Sequence, residues 1–306
     1  MKVIEDIRMR NETESYTDLK KLAIGTATFG MNYGTFNSFG QIDTNQANQI
    51  LALAIDKNID TIDTAISYGE SEKVLGSIGV QNWKIISKIP PVEIGTASIS
   101  QWVDSQVNES LKRLNIPKIY ALLLHQPEQL RKPYGSKIWS ALCELKKQKR
   151  VSKIGYSIYD PSELDDLWTE FKPDIIQAPF NLIDRRMLTS GWLNKLHDRN
   201  CEVHVRSVFL QGLLLSKTSN MPKFFKAWSS LWDNYIEWQA AQNISPLEAC
   251  MGFVLSFPQI SKIIVGVDSL RQFEQVVNCK FPGLRNFPEE ISTDDINLIN
   301  PRKWEI

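Results

Sequence analysis

The chain is poor in the residues that build metal clusters and disulfide frameworks. Its 306 residues include only four cysteines and three histidines. Cys143, Cys201, Cys250 and Cys279 stand far apart with no CxxC pair. This argues against a zinc or iron–sulfur cluster and against a secreted, disulfide-stapled domain. Net charge is missing too. Thirty-five basic side chains balance thirty-five acidic ones, so the composition favours neither a nucleic-acid nor an anionic-membrane partner. No apolar run approaches the ~20 residues of a transmembrane helix, and the opening MKVIEDIRMRNETESYTDLKK is too polar for a secretory signal. Together these absences predict a cytoplasmic protein. No GxGxxG follows the first apolar run, so a Rossmann fold is not indicated.

What is present is an alternation. With 42% hydrophobic residues the chain can bury one large core, and a single barrel commonly takes about 250 residues. Short apolar runs read as fully buried strands: Lys21–Thr26, Ile59–Ile62, Trp83–Ser87, Ile119–Leu124, Ser152–Tyr156, Asp174–Gln177, Glu202–Arg206 and Lys262–Val265. Helical stretches separate them. They lie near Thr44–Lys57, with Asp43 or Thr44 as cap, from Glu70 to Gly76 or Gly79, and over Ile99–Leu114 and Ser136–Lys149. Further stretches start at Pro161, cover Leu188–Arg199, Lys223–Ala241 and Ser245–Phe257, and begin again near Ser269. A long glycine-containing loop is expected from Phe29 to Gln41. Eight strands with crossovers predict an α/β fold, a (β/α)8 TIM barrel in a single domain over residues 21–306. Residues 1–20 are charged and weakly patterned, and read as an N-terminal extension packed on the barrel floor or trailing from it. The densest basic cluster, Lys146, Lys147, Lys149 and Arg150, falls at a helix C-terminus, where positive charge complements the dipole.

Asp63, Tyr68, Lys88 and His125 stand at or just past the ends of strands two, three and four. In a parallel barrel these ends open on one face, where chemistry is built. Reducing a carbonyl needs a hydride donor and an acid that protonates the oxygen as negative charge develops on it. A free phenol, with a pKa of about 10, is a poor acid at neutral pH, and a neighbouring ammonium lowers that value. Lys88 can supply the charge, Asp63 can hold Lys88 as an ion pair, and His125 can donate to or orient the carbonyl oxygen. Singly, each has a plainer explanation: Tyr68 a loop aromatic, Lys88 a solvated strand end, Asp63 a cap, His125 a core histidine. Their joint convergence favours catalysis. His197 and His204 read as structural, and no nucleophile or metal-ligand signature accompanies the set.

The segment Asp60-Thr61-Ile62-Asp63-Thr64-Ala65-Ile66-Ser67-Tyr68-Gly69-Glu70-Ser71-Glu72 resembles the signature of the aldo-keto reductase family, in which an aspartate, a tyrosine and YGxSE recur at this spacing. Ile86-Ser87-Lys88 and Leu122-Leu123-Leu124-His125 resemble its catalytic-lysine and catalytic-histidine strands. The resemblance runs in order over roughly residues 21–304. It implies the same four catalytic roles, a small-molecule carbonyl substrate, no metal, and a nicotinamide cofactor stretched across the barrel mouth. On it, Gly25 and Thr26 belong to the cofactor site, Ser157 and Gln177 contact the nicotinamide amide, and Arg206 lies under the ring. Ser207, Phe209, Gln211 and Gly212 belong to the loop under the pyrophosphate. Gly266, Asp268, Ser269, Gln272 and Gln275 surround the adenosine phosphate, where a helix N-terminus suits an anion.

The sequence departs from the family pattern at several of these positions. Ile158 replaces a usual asparagine, Arg206 replaces a usual aromatic, and Val208-Phe209-Leu210 replaces a usual Pro-Leu pair. A guanidinium can also stack, being planar. NADP(H) is the expected cofactor, with NAD(H) as the alternative because Asp268 would repel a 2′-phosphate. The stretch Gly25–Gly34, with Gly40-Gln41 and the Arg206–Gly212 segment, resembles a bacterial subgroup found among surface-polysaccharide and sugar-nucleotide genes, which implies a sugar-derived or polar carbonyl. Phe29, Tyr33, Phe36, Trp228 and Trp232 are candidates for lining a substrate pocket, with ordinary loop packing as the alternative. Two other functions stay open: a nicotinamide-binding regulatory module with little turnover, and a cofactor-retaining isomerase or lyase on a sugar. Retention of all four catalytic residue types argues against the first.

Overall fold

The computed structural model describes residues 19–306 apart from Ile94, Pro282 and Arg285. The expected extension over residues 1–20 therefore lies outside the described residues except for its last two. Eight parallel strands close into one barrel in sequence order. They are β1 Leu22–Gly25, β2 Thr61–Asp63, β3 Lys84–Ile89, β4 Ile119–Leu124, β5 Val151–Ser157, β6 Ile175–Pro179, β7 Glu202–Arg206 and β8 Lys262–Gly266. Every residue of β1, β2 and β6 is buried, the pattern of strands covered on both faces. The expected TIM barrel is the observed fold, and β4 and β7 have the bounds read from the sequence. At the floor, the Lys262 ammonium donates to the Lys20 carbonyl at 2.6 Å and to Asp60 at 2.7 Å, so the start of the described chain is tied beneath β8.

The principal helices are α1 Thr44–Asp56, α2 Ser71–Ile78, α3 Ile99–Leu114, α4 Gly135–Lys147, α5 Ser162–Leu167, α6 Trp192–His197, α7 Ser229–Gln242, α8 Pro246–Leu255 and α9 Leu270–Asn278. Asp43, not Thr44, caps α1, its carboxylate accepting from the Gln46 amide at 2.8 Å. Three expectations need correction. Leu188–Arg199 is not one helix: a turn at Arg186–Thr189 and α6 are parted at Gly191, whose φ of 77° no right-handed helix tolerates. Lys223–Ala241 begins as a tighter 3₁₀ segment, Lys223–Trp228. There the indole of Trp232 takes the Phe225 carbonyl at 2.9 Å, an acceptor that a continuous α-helix would use itself. Phe29 and Gly30 belong to a helical turn, Ala27–Gly30, rather than to the loop. At the end of α4 the basic cluster is also paired: Lys146 with Asp174 at 2.6 Å and Arg150 with Asp104.

The turn that carries Tyr68 is anchored from below. Ser71 donates to the Thr26 hydroxyl at 2.9 Å and meets the Thr64 hydroxyl at 3.0 Å. Glu72, 2% exposed, accepts from Ser87 on β3 and from Ser110 and Arg113 on α3 at 2.6–2.8 Å. One carboxylate thus locks α2 to a strand and a helix. The Ala27–Gly30 turn packs directly on this region, and a Cβ added at Gly30 would stand 1.9 Å from the Tyr68 carbonyl and 2.2 Å from the Ser71 amide. Only glycine fits there. Gly30→Ala should cost about 1–3 kcal/mol, as overpacking does, and lower the thermal midpoint by a few degrees. Gly266→Ala, where an added Cβ meets nothing within 4 Å, should leave the midpoint in place. Thermal unfolding of the two variants followed by circular dichroism checks this, and equal midpoints would refute the close-approach argument.

Candidate active site

Parallel strands deliver Asp63 at the end of β2, Lys88 one residue from the end of β3, and His125 just past β4 to one rim of the barrel. Tyr68 joins them from the β2–α2 turn. Lys88 and Asp63, 1% and 3% exposed, form an ion pair at 2.7 Å. The lysine also donates to the Thr64 carbonyl at 2.9 Å. The second Asp63 oxygen accepts from the Gln177 amide at 2.7 Å, and Ser157 donates to the other end of that amide at 3.4 Å. Burial holds the Lys88 ammonium below its ordinary pKa, with the Asp63 carboxylate opposing the shift.

Tyr68 is half-buried and its ring meets that of His125 edge-on, centroids 5.8 Å apart. The Lys88 nitrogen lies 5.0 Å from the Tyr68 ring centroid. Among the described residues the phenol hydroxyl has no hydrogen-bond partner, which leaves it available to a ligand. The expected lowering of its pKa by Lys88 is not what dominates. Burial raises the phenol first and the Asp63 charge raises it further, while Arg206 and Arg302 pull it down. The lysine donates to the Asp63 carboxylate and the Thr64 carbonyl and not to the phenol, so the Asp63 charge outweighs its pull on the resting phenol. Burial, with the charges of Lys88, Arg206 and Arg302, pushes the His125 imidazole down to about 3. It is therefore neutral at ordinary pH, and its Nδ1 lies 3.0 Å from the Ser67 hydroxyl. With Ser67 donating to Nδ1, Nε2 carries the proton.

The residues assigned to the cofactor split into four groups. Ser157, Gln177, Arg206 and Ser207 adjoin the quartet at the ends of β5, β6 and β7. Ile158, at the asparagine position, is fully buried, and its carbonyl accepts from Arg206 at 3.0 Å. Gly25 pairs with Gly266 across β1 and β8. Thr26 is fully buried, with its amide and hydroxyl both spent on the Asp63 carbonyl at 3.0 and 2.9 Å. It holds the strand end.

After β7 the backbone turns left-handed at Ser207, Leu210, Gln211 and Gly212, with φ of 59°, 46°, 52° and 93°. Among the described residues the Val208 and Phe209 amides donate to no acceptor. Unsatisfied amides beside left-handed residues form a concavity suited to phosphate oxygens. Gln211 bridges to the first loop, accepting from the Thr35 amide and hydroxyl at 2.9 and 2.8 Å. At α9, Ser269 caps the Gln272 amide at 3.2 Å, Gln272 accepts from the Asp268 amide at 2.8 Å, and Gln46 accepts from the Leu270 amide at 2.9 Å. These glutamines would have to yield to a phosphate. Burial raises the Asp268 carboxyl. Gln275 is exposed one turn along the helix and joins none of these contacts.

Of the aromatic candidates, Tyr33 and Phe36 lie in the first loop. Tyr33 is 45% exposed, and its phenol is raised by desolvation first and by Tyr68 next. Phe29 is fully buried core, and Trp232 is buried with its indole bonded to the Phe225 carbonyl. Trp228 donates to Asp295 at 3.0 Å and packs on Phe224. These three pack and hold the fold, so the packing alternative prevails for them. Thr64, Ser67, Glu72, Tyr159 and Arg302 were not singled out from the sequence. Glu72 closes the YGxSE motif, so its signal was present. Nothing local marks Arg302, which sits in the turn Pro301–Lys303 and reaches the site through tertiary packing alone. Two surface grooves, one between α3 and α4 and one beneath the floor, contain none of the four central residues.

Comparison with known proteins gives this arrangement a family. The model of the "Aldo/keto reductase family" matches residues 21–286. The chain is 27% identical over 177 residues to the aflatoxin B1 aldehyde reductase member 2 of Rattus norvegicus, covering 52% of this chain and 47% of the rat protein. It is 27% identical over 216 residues to the aldo-keto reductase YhdN of Bacillus subtilis (strain 168), covering 66% and 62%. The chain thus spans about half to two thirds of the length of these curated relatives. The solved structure of the aldo-keto reductase AKR11C1 from Bacillus halodurans, in its holo form, superposes with a TM-score of 0.65 at 19% identity, covering 84% of this chain and 85% of that one, a likeness of fold. No helix among the described residues is long and apolar enough to cross a membrane. With the matched span covering nearly the whole barrel, the chain belongs to the aldo/keto reductase family.

Proposed function

We propose that the protein is an NAD(P)H-dependent reductase that converts an aldehyde or ketone to an alcohol. The observation that carries this reading is the buried Asp63–Lys88 pair set against a phenol with no hydrogen-bond partner among the described residues and a neutral imidazole, all on one barrel rim. A reduced nicotinamide, when bound, supplies a hydride to the carbonyl carbon. Ser157 and Gln177 would hold its amide, and the Val208 and Phe209 amides its pyrophosphate. Neutral His125, through the Nε2 proton, orients the carbonyl oxygen and polarises it. Tyr68 gives its proton to that oxygen as charge develops. Lys88, 5.0 Å from the ring, stabilises the phenolate left behind, and Asp63 keeps the lysine charged despite its burial. The resemblance of the Gly25–Gly34 and Arg206–Gly212 segments supports a polar or sugar-derived carbonyl, and NADPH is the proposed donor.

Tyr68→Phe should cut carbonyl reduction by about 10²–10⁴-fold, the usual worth of a general acid, and leave cofactor affinity intact. Steady-state rates with cofactor titration by fluorescence measure both. Reduction within a few-fold of wild type would show that Tyr68 is not the acid.

Lys88 and Asp63 should act with opposite sign on the phenol. Lys88→Met leaves the Asp63 anion without its counter-ion beside Tyr68 and drives the phenol further up. Asp63→Asn removes an anion that raises it and lets it fall. Since the protonated phenol is the active form, activity is lost as pH rises through its pKa. The alkaline limb of the kcat/KM profile should therefore come at lower pH in Asp63→Asn than in Lys88→Met. Coincident limbs would break the proposed coupling.

Cofactor choice turns on Asp268. Arg271 is exposed and makes no ion pair with it among the described residues, so the carboxylate faces a 2′-phosphate unrelieved, and like charges repel. Against that repulsion stand the α9 N-terminus and Gln272, which suit a 2′-phosphate, so wild type is expected to bind NADPH at least as tightly as NADH, and Asp268→Ser to shift further toward NADPH. Titration of both reduced cofactors into both proteins decides. A clear wild-type preference for NADH reverses the cofactor assignment and leaves the reductase assignment standing.

A further inference from the structure

Among the described residues the His125 imidazole has one hydrogen-bond partner, the Ser67 hydroxyl, 3.0 Å from Nδ1. Its Nε2 has none there. The backbone beneath the ring is fixed, with the His125 amide donating to the Ile89 carbonyl at 3.1 Å. The ring meets that of Tyr68 edge-on, centroids 5.8 Å apart. Neither of these contacts decides which nitrogen carries the proton. A neutral imidazole has one N–H and one lone pair, so two arrangements satisfy the contact with Ser67. In one, Ser67 donates to Nδ1 and Nε2 carries the proton. In the other, Nδ1–H donates to Ser67 and Nε2 is bare. Only the first presents a donor to a carbonyl oxygen.

Ser67 sits on a rigid mount. Residues 65–68 close as a turn, with the Tyr68 amide donating to the Ala65 carbonyl at 3.0 Å. Two more bonds pin this segment to β3: the Thr64 amide on the Ile86 carbonyl at 2.8 Å and the Ile66 amide on the Lys88 carbonyl at 3.1 Å. One turn thus carries both the phenol and the residue that holds the imidazole. The chemistry of the holder matters. A carboxylate or a backbone carbonyl at Nδ1 could only accept, which would draw the proton to Nδ1 and leave Nε2 bare. A hydroxyl can donate, and no carboxylate bonds to the ring among the described residues. Ser67 is also exposed, so water can donate to its oxygen while its own proton points to Nδ1.

We propose that Ser67 is a positioning residue: by donating to Nδ1 it holds His125 in one orientation as the Nε2–H tautomer, with that proton free for the carbonyl oxygen that Tyr68 protonates. The serine acts through the ring. A donor at Nδ1 withdraws density from the imidazole and makes Nε2–H the stronger donor, since linked hydrogen bonds polarise one another. That support grows as negative charge develops on the oxygen, so the effect belongs to turnover rather than to binding. This inference rests on the reductase reading and adds a residue to its machinery.

The test compares Ser67→Thr with Ser67→Val, two side chains of nearly one shape that differ by the hydroxyl. Long-range ¹H–¹⁵N nuclear magnetic resonance on protein carrying ¹⁵N-labelled histidine reads the tautomer. With three histidines in the chain, the spectrum of His125→Gln assigns the signal. Steady-state reduction of butanal and benzaldehyde with NADPH reads the rate. Wild type and Ser67→Thr should both show the Nε2–H form, and Ser67→Thr should keep most of the rate. Ser67→Val should show a mixture of tautomers and lose about three- to tenfold in kcat, the span of one neutral hydrogen bond, with KM and the thermal midpoint little changed. A wild-type ring protonated at Nδ1 would overturn the proposal. So would a Ser67→Val protein that matches Ser67→Thr in tautomer and rate. A rate loss in Ser67→Val with the tautomer unchanged would make Ser67 a packing residue and overturn it too. If wild type reduces neither aldehyde while its ring is the Nε2–H form, it is the reductase reading that fails, and the role proposed for Ser67 goes with it.

Discussion

The buried ion pair between Lys88 and Asp63 is the interaction on which the rest of the site depends. An ion pair with both partners under 4% exposed does not stabilise a fold relative to well-packed apolar residues, and removing one partner alone typically costs about 3–5 kcal/mol. The barrel offsets that burden by satisfying nearly every remaining valence: Thr64 and Asp63 take lysine protons, and Gln177 donates to the second carboxylate oxygen. Gln177 is in turn held by Ser157. The consequence is a fixed positive charge in a dry environment beside a phenol. Such a charge is worth far more there than at the surface, because it needs no reorganisation when charge appears on a reacting oxygen.

Strand pairing sets the geometry, and motif residues hold it. The register places Asp63 beside Ile86 and Lys88 beside Leu123, so the partners approach across neighbouring strand ends. The Tyr68 turn has no strand of its own. It is fixed instead by Ser71 and Glu72 from the same signature, and by the bare backbone of Gly30 against which it packs. A short motif therefore encodes both the acid and its mounting. Its apparent redundancy, with Asp63, Tyr68, Ser71 and Glu72 within ten residues, reflects four different mechanical tasks.

How much of this was legible in sequence follows from the range of each interaction. Buried strands announce themselves as apolar runs, so all eight were found, and β4 and β7 to the residue. Helix breaks were not, because Gly191 at φ 77° and the Trp232 indole on the Phe225 carbonyl act through conformation and long-range contact. The four central residues were legible because each stands at or shortly past a strand end. The direction of the electrostatics was not. Lys88 was expected to lower the Tyr68 phenol, but the order of charges around it depends on which way the ammonium turns, and Asp63 and burial win. The brace that the Thr26 hydroxyl gives the Asp63 carbonyl was likewise not legible, because it joins residues thirty-seven positions apart. Arg302 and Tyr159 meet through a contact spanning almost half the chain, which no local pattern can reveal.

Direct observation of the Lys88 ammonium tests the central claim most sharply. In protein carrying ¹⁵N-labelled lysine, nuclear magnetic resonance reads the protonation state of a buried side-chain nitrogen as pH is varied. The expected result is a protonated, slowly exchanging Lys88 at pH 7 that titrates below the ordinary lysine value, and whose charge is weakened when Asp63 is replaced by asparagine. A neutral amine at pH 7 in the wild-type protein, or a titration indifferent to Asp63, would contradict the ion pair as the source of the site's fixed charge.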